Sequence, residues 1–337
     1  MKTNAIIIPV AAGKGGVGKS LLAANLAIAL AELGHRTIAV DLDLGASNLH
    51  SFLGLPNRYP GIGDFLKARS AELEELLVAT QTTNLRLLPG DGKTPFMANI
   101  PYAQKQKLIS HMRKLPADYI LVDLGAGSSF NVLDFFRISP RGIVITTPEQ
   151  PAVMSMLVFL KNFLLRAIVR TLARSYPIRT MLREMHKLPM KQQISSVEAL
   201  HHKIAGLDQE AGEAVLDVYR SFRPRVVFNM GEHPDDLNIT SQISKTLRSI
   251  LSLEVDYFGF VFYDSAIKEA VRSRAVFLPE HRDSLAAKNI VRIAERITKY
   301  WNMPVEDSAG RLLKHVAKIY ESSMELPIAA GQQLTIR

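Results

Sequence analysis

The sequence predicts an α/β fold: a mostly parallel sheet with helices on both faces and a helical insertion. Three observations carry this. Short, near-continuous apolar runs recur along the chain, separated by helix-length segments, as expected of strands that crossover helices bury on both sides. Several of those runs end on a polar residue, which places candidate chemistry at the carboxyl ends of strands, where open α/β sheets bind ligands. Hydrophobic residues make up 47% and charged residues 22% of the 337 positions, enough for a substantial core.

In order, the first strand is the apolar run 5–12, followed by a glycine-rich segment at 13–20 and an Ala/Leu-rich helix over 21–30. A buried strand at 36–40 ends at Asp41, and further strands are expected at 85–88 and at 119–122, the latter ending at Asp123. A helix is predicted over 102–114. Strands at 142–146, 225–228 (followed by Asn229) and 257–261 complete the sheet, and a helix is predicted over 285–300. The interval 160–222 is about twice an ordinary crossover and is punctuated by Pro177 and Pro189, so it reads as an insertion of about three helical segments. Residues 1–300 therefore form one domain carrying that insertion. Residues 301–337 form a C-terminal helix, centred on 311–320, and an irregular tail.

Composition narrows the function. The absence of cysteine excludes disulfides, thiolate metal sites, cysteine-ligated iron–sulfur clusters and a cysteine nucleophile. The longest apolar stretch, 153–169, is broken by Ser155, Lys161, Asn162 and Arg166 and falls short of a membrane span. The first strand begins so early that no leader is expected, which predicts a cytoplasmic protein. A formal charge of +9 favours an anionic partner.

The glycine-rich segment is specific. Gly13, Gly18, Lys19 and Ser20 meet the pattern G-x-x-x-x-G-K-[ST], between a strand and a helix as the motif requires. Its glycines let the backbone N–H groups of Gly13, Lys14, Gly15, Gly16, Val17 and Gly18 curl around phosphate oxygens, and the helix dipole adds to the attraction. Lys19 would neutralise the β- and γ-phosphates, and the Ser20 hydroxyl would hold Mg²⁺. This predicts an ATP- and Mg²⁺-binding site. Asp123, ending an apolar strand, suits a Mg²⁺-bound water.

A second lysine, Lys14, lies inside the loop. With it the sequence resembles the deviant Walker A motif of the MinD/ParA family of ATPases. The resemblance continues through 40–49, 52–55, 119–127, 146–149 and 262–272, and its pattern is nearest the branch of flagellar-number regulators, FlhG (FleN). It implies an ATPase that forms an ATP-dependent homodimer, in which Lys14 reaches the partner's phosphates and Asp43 orients the attacking water. Lys14, Lys19 and Asp43 are then the catalytic group, and Ser20 and Asp123 the metal-binding pair. Gly125 and Gly127 belong to a second switch segment. Asn48 matches a switch position at the dimer partner, with a helix N-cap as its other reading. Asn229 carries a donor and an acceptor together, and the resemblance implies that it meets an adenine edge, with a loop turn as its other reading. Asp41 reads as structural or as part of the outer shell of Mg²⁺. Phe262 departs from the family, which has proline there.

The resemblance also implies a molecular switch for spatial organisation, of the flagellar-placement or cell-division type. Such a switch cycles between cytosol and a protein partner or the inner face of the cell membrane. The alternative is a partitioning ATPase that binds nucleic acid non-specifically. Two features could serve either output. Arg166, Arg170 and Arg174, and then Arg179, Arg183, Lys187 and Lys191, recur every fourth residue, with only Glu184 opposing them between 161 and 191. Segment 311–320 is amphipathic and basic, readable as a membrane-targeting or as a packed terminal helix. Few aromatics interleave with the charges, so DNA binding is the less favoured reading. His201 and His202 read as a surface pair, with no metal site beyond Mg²⁺.

Overall fold

The structure, a computed structural model, describes residues 5–67, 72–90, 100–172, 178, 180–181 and 197–324. The apolar runs form β1 (Ile6–Ala12), β2 (Thr37–Leu42), β3 (Val78–Ala79), β4 (Leu85–Leu88), β5 (Tyr119–Leu124), β6 (Ile143–Thr146), β7 (Arg225–Gly231) and β8 (Asp256–Phe262). Helices intervene as α1 (Lys19–Glu32), α2 (Tyr102–Met112), α3 (Phe130–Phe136), α4 (Gln150–Thr171), α5 (Val197–Ala205), α6 (Gln209–Ser221), α7 (Ile239–Thr246), α8 (Ser265–Ser273), α9 (Leu285–Tyr300) and α10 (Ser308–Met324). The strands form one sheet in the order β3-β4-β2-β5-β1-β6-β7-β8. All pairings are parallel except the edge pair β3–β4, a two-residue strand too short to read in the sequence.

Two cores explain why the strands are apolar throughout rather than alternating. Ile8, Val10 and Ala12 of β1 face a cluster with α1 and α9, whereas Ile7 and Ala11 face a second cluster with α2, α3 and α4. The alanines of α1 (Ala23, Ala24, Ala27, Ala29 and Ala31) are buried, and their small size lets that helix lie close to the sheet. Register brings the chemistry together: Asp41 of β2 pairs with Asp123 of β5, and Val10 of β1 pairs with the same Asp123.

Within the interval 160–222 the described residues pack on the domain that carries the sheet. α4 runs without a break from residue 150 to 171. Leu200 and Ile204 of α5 and Val215 of α6 join the same core as the sheet. α4 is long and apolar enough to cross a bilayer, with a mean hydropathy of 1.8, despite the interruptions noted in the sequence. Its Met156, Phe159, Leu160, Phe163 and Leu164 are instead core residues, and Phe163 packs edge-on against Phe136 and Phe222.

Candidate nucleotide site

The loop at 13–20 closes between β1 and α1. Gly18 occupies the N-cap position of α1 with φ 80°, in the left-handed region that glycine tolerates best. A side chain there would also overlap the Asn229 amide. At Gly13 a Cβ would collide with the backbone of Ser155 on α4, so this glycine sets the distance between loop and helix. Val17 is buried and anchors the loop, while Lys14, Gly15 and Gly16 are exposed at its rim. Lys14 makes no salt bridge among the described residues. The first turn of α1 carries no acidic residue to compete for its free N–H groups.

Lys19 is buried. Its ammonium donates to Asp123 Oδ1 at 2.6 Å and to Ser20 Oγ at 3.2 Å, and lies 3.9 Å from Asp43 Oδ2. The two acids, the hydroxyl and the loop lysine thus converge from three segments. Asp123 is fully buried, and burial pushes its carboxyl up to about 6 against the pull of Lys19 and the Ser20 hydroxyl. Its second oxygen, Oδ2, is buried without a hydrogen-bond donor among the described residues. An orphaned anionic acceptor beside a serine hydroxyl fits a hydrated Mg²⁺.

Asp41 and Asp43 divide two roles. Asp41 is buried; it accepts from the Ser47 hydroxyl (2.7 Å) and from the backbone N–H groups of Asp43 (3.1 Å) and Leu49 (3.0 Å). It therefore braces the 43–49 segment, as its structural reading expects. Ser47, its main partner, was not singled out from sequence. The only signal was a serine six residues beyond a strand-end aspartate. Asp43 is left half-buried, with Oδ1 against Gly125. Gly127, at φ 81°, donates its N–H to the carbonyl of Ala12 at 2.9 Å, tying the 125–127 segment to the end of β1. Asn48 is exposed at the start of a short turn of helix, Leu49–Phe52, and its side chain makes no capping bond.

Asn229 is 2% exposed and faces the loop. Its amide N–H donates to the carbonyl of Val17 at 2.9 Å, so the group expected at an adenine edge supports the phosphate loop itself. The next residue, Met230, has φ 59°, and β7 shifts register against β8 between Phe228 and Gly231. Phe262, which stands where proline was expected, is buried, and its N–H donates to Asn289 of α9 at 3.3 Å. Proline could not make that bond. Tyr320 of α10 stacks on the Phe262 ring.

Both expected output surfaces are altered by contacts from distant segments. Arg166 and Arg170 chelate Asp134 of α3, which also accepts from the buried Lys105 of α2. The two guanidinium groups lie over Phe130 and Tyr102. These two residues of the basic stripe are therefore ion-paired rather than presented freely. Arg174, Arg179, Arg183, Lys187 and Lys191 lie outside the described residues. On α10, Leu312, Val316 and Ile319 are buried against the domain, so the apolar face read as membrane-targeting is already covered. Among the described residues no cluster of histidines and acids could hold a metal by itself.

A doubly wound sheet, a glycine-rich loop at the end of its central strand and a buried Lys–Asp pair define a P-loop nucleotide-binding protein. The chain belongs to the CobQ/CobB/MinD/ParA nucleotide-binding domain family, which matches residues 8–276. It is 26% identical over 324 residues to the antiactivator FleN of Pseudomonas aeruginosa, covering 92% of this chain and 94% of that protein. Over 152 residues it is 38% identical to the septum site-determining protein MinD of Thermotoga maritima, spanning 44% of this chain and 54% of that one. Among solved structures, MinD of Pyrococcus horikoshii complexed with Mg-ADP has the same fold, with a TM-score of 0.52 at 20% identity, covering 88% of this chain and 96% of that one.

Proposed function

We propose that the protein is an ATP-hydrolysing switch that dimerises around ATP and serves spatial organisation, in the manner of flagellar-number and division-site regulators. One observation carries this: Lys19, Asp43 and Asp123 converge beside the loop, while the second loop lysine, Lys14, stands exposed at its rim with no acid paired to it among the described residues. An exposed cation at the rim is free to reach a phosphate held by a second copy. Likeness to FleN and MinD supports the placement in spatial organisation.

Backbone N–H groups of 13–18 and the Lys19 ammonium hold and neutralise the phosphates, and Lys19 must leave Asp123 to do so. Ser20 and Asp123 would hold Mg²⁺, which draws charge from the transferring phosphate. Asp43, half-buried and near the lysine, orients the attacking water by accepting its hydrogen bond. Lys14 of the second copy adds positive charge where negative charge develops. Hydrolysis removes the γ-phosphate that both lysines bind, and the dimer parts. The protein acts from the cytosol, and its protein partner reads the dimer.

Size-exclusion chromatography with ATP and Mg²⁺ tests this. The wild type should shift to a dimer and Lys14→Ala should remain monomeric. Asp43→Ala should retain ATP and accumulate as dimer. A Lys14→Ala protein that dimerises like wild type overturns the proposal.

A further inference from the structure

A second concentration of positive charge lies away from the phosphate loop. α9 and α10 diverge after the 301–307 connection and enclose a cleft of about 540 Å³, lined by Arg292, Arg296, Arg311, His315 and, on its apolar wall, Tyr300 and Met303. None of the three arginines makes a salt bridge among the described residues, although Glu295 and Glu306 also line the cleft. Arg292 Nη1 is buried without any hydrogen-bond acceptor among the described residues. Such a donor is costly to leave unpaired. Arg296 is held in place by the Phe258 ring, 5.2 Å from its guanidinium carbon.

We propose that this cleft is a second anion site, which takes a phosphate-bearing small molecule. Planar guanidinium forks suit phosphate oxygens, and three of them line this cleft without a salt bridge among the described residues. The volume exceeds what inorganic phosphate requires. Tyr300 and Met303, both about half exposed, give the remainder of an organic phosphate an apolar wall, and the two glutamates can accept from its hydroxyl or amino groups. Burial and the charges of Arg292, Arg296 and Lys318 lower the His315 pKa, so a bound dianion would raise it again. The ligand would join α9 to α10. These helices carry Asn289 and Tyr320, the two contacts that fix Phe262 at the end of β8.

The test uses the full chain with its phosphate loop saturated by ADP and Mg²⁺, titrated with sodium pyrophosphate by calorimetry and by ¹H NMR of the His315 imidazole. Binding with a rise in the His315 pKa is expected. Arg292→Gln and Arg311→Gln should each weaken it about 10-fold or more. Arg311 is exposed, so its substitution leaves the packing intact. Vesicles of phosphatidic acid that displace pyrophosphate would identify a lipid headgroup as the source of the phosphate. Vesicles that do not displace it would identify a soluble molecule. No pyrophosphate binding, or binding indifferent to both arginine substitutions, overturns the proposal.

Discussion

Two buried carboxylates, Asp123 and Asp134, lie on the same stretch of chain and treat positive charge in opposite ways. Asp134 is saturated: Lys105, Arg166 and Arg170 all bond to it, and together they hold its carboxyl far below the ordinary carboxylate range despite the opposing effect of burial. Asp123 has one ammonium, an orphaned oxygen and a carboxyl raised to about 6. The first arrangement is complete and fixes α2, α3 and α4 to one another. The second leaves one carboxylate oxygen without a donor among the described residues. Saturation marks a structural cluster, and the unsatisfied pair marks the chemistry.

The comparison can be broken by exchanging the outcomes. Asp123→Asn should lower Mg²⁺-dependent ATP hydrolysis by about 100-fold or more, measured as phosphate release, with a native fold. Asp134→Ala should do the reverse, costing about 3–5 kcal/mol in denaturant unfolding because three cations lose their common partner, while nucleotide binding persists in the folded fraction. Arg170→Gln leaves Asp134 two cations and should cost only about 1 kcal/mol. Its binding to anionic vesicles should equal that of the wild type in co-sedimentation, since the guanidinium is engaged within the fold.

The Asp123 shift also makes stability depend on pH. Below about pH 4 Asp123 is protonated in both folded and unfolded chains and contributes nothing. Between about 4 and 6 the unfolded chain has released a proton that the folded one keeps, so stability falls as pH rises through that window and the loss is complete above about 6. Unfolding curves of wild type and Asp123→Asn should differ in slope only there. The Asp134 contribution has the other sign: it is fully present above the ordinary carboxylate range and is lost only in strong acid.

The sheet and the phosphate loop were legible because both depend on local pattern. Apolar runs identify strands buried on two faces, and Gly13 to Ser20 lie in one contiguous motif. Contacts between distant residues were not legible. Nothing in the spacing of Arg166 and Arg170 announces Asp134, 32 and 36 residues away on another helix. The amphipathic pattern of α10 could not say whether lipid or protein covers Leu312 and Val316. Asn229 was found as a polar strand end, but its hydrogen bond to Val17 spans 212 positions of sequence.

That last bond sets a timetable for biosynthesis. The loop is made early, yet its brace from β7 emerges from the ribosome some two hundred residues later, on the order of tens of seconds at ordinary elongation rates. Until then the nascent chain carries the full motif without its finished cradle. Nucleotide can reward folding only after most of the polypeptide has been made.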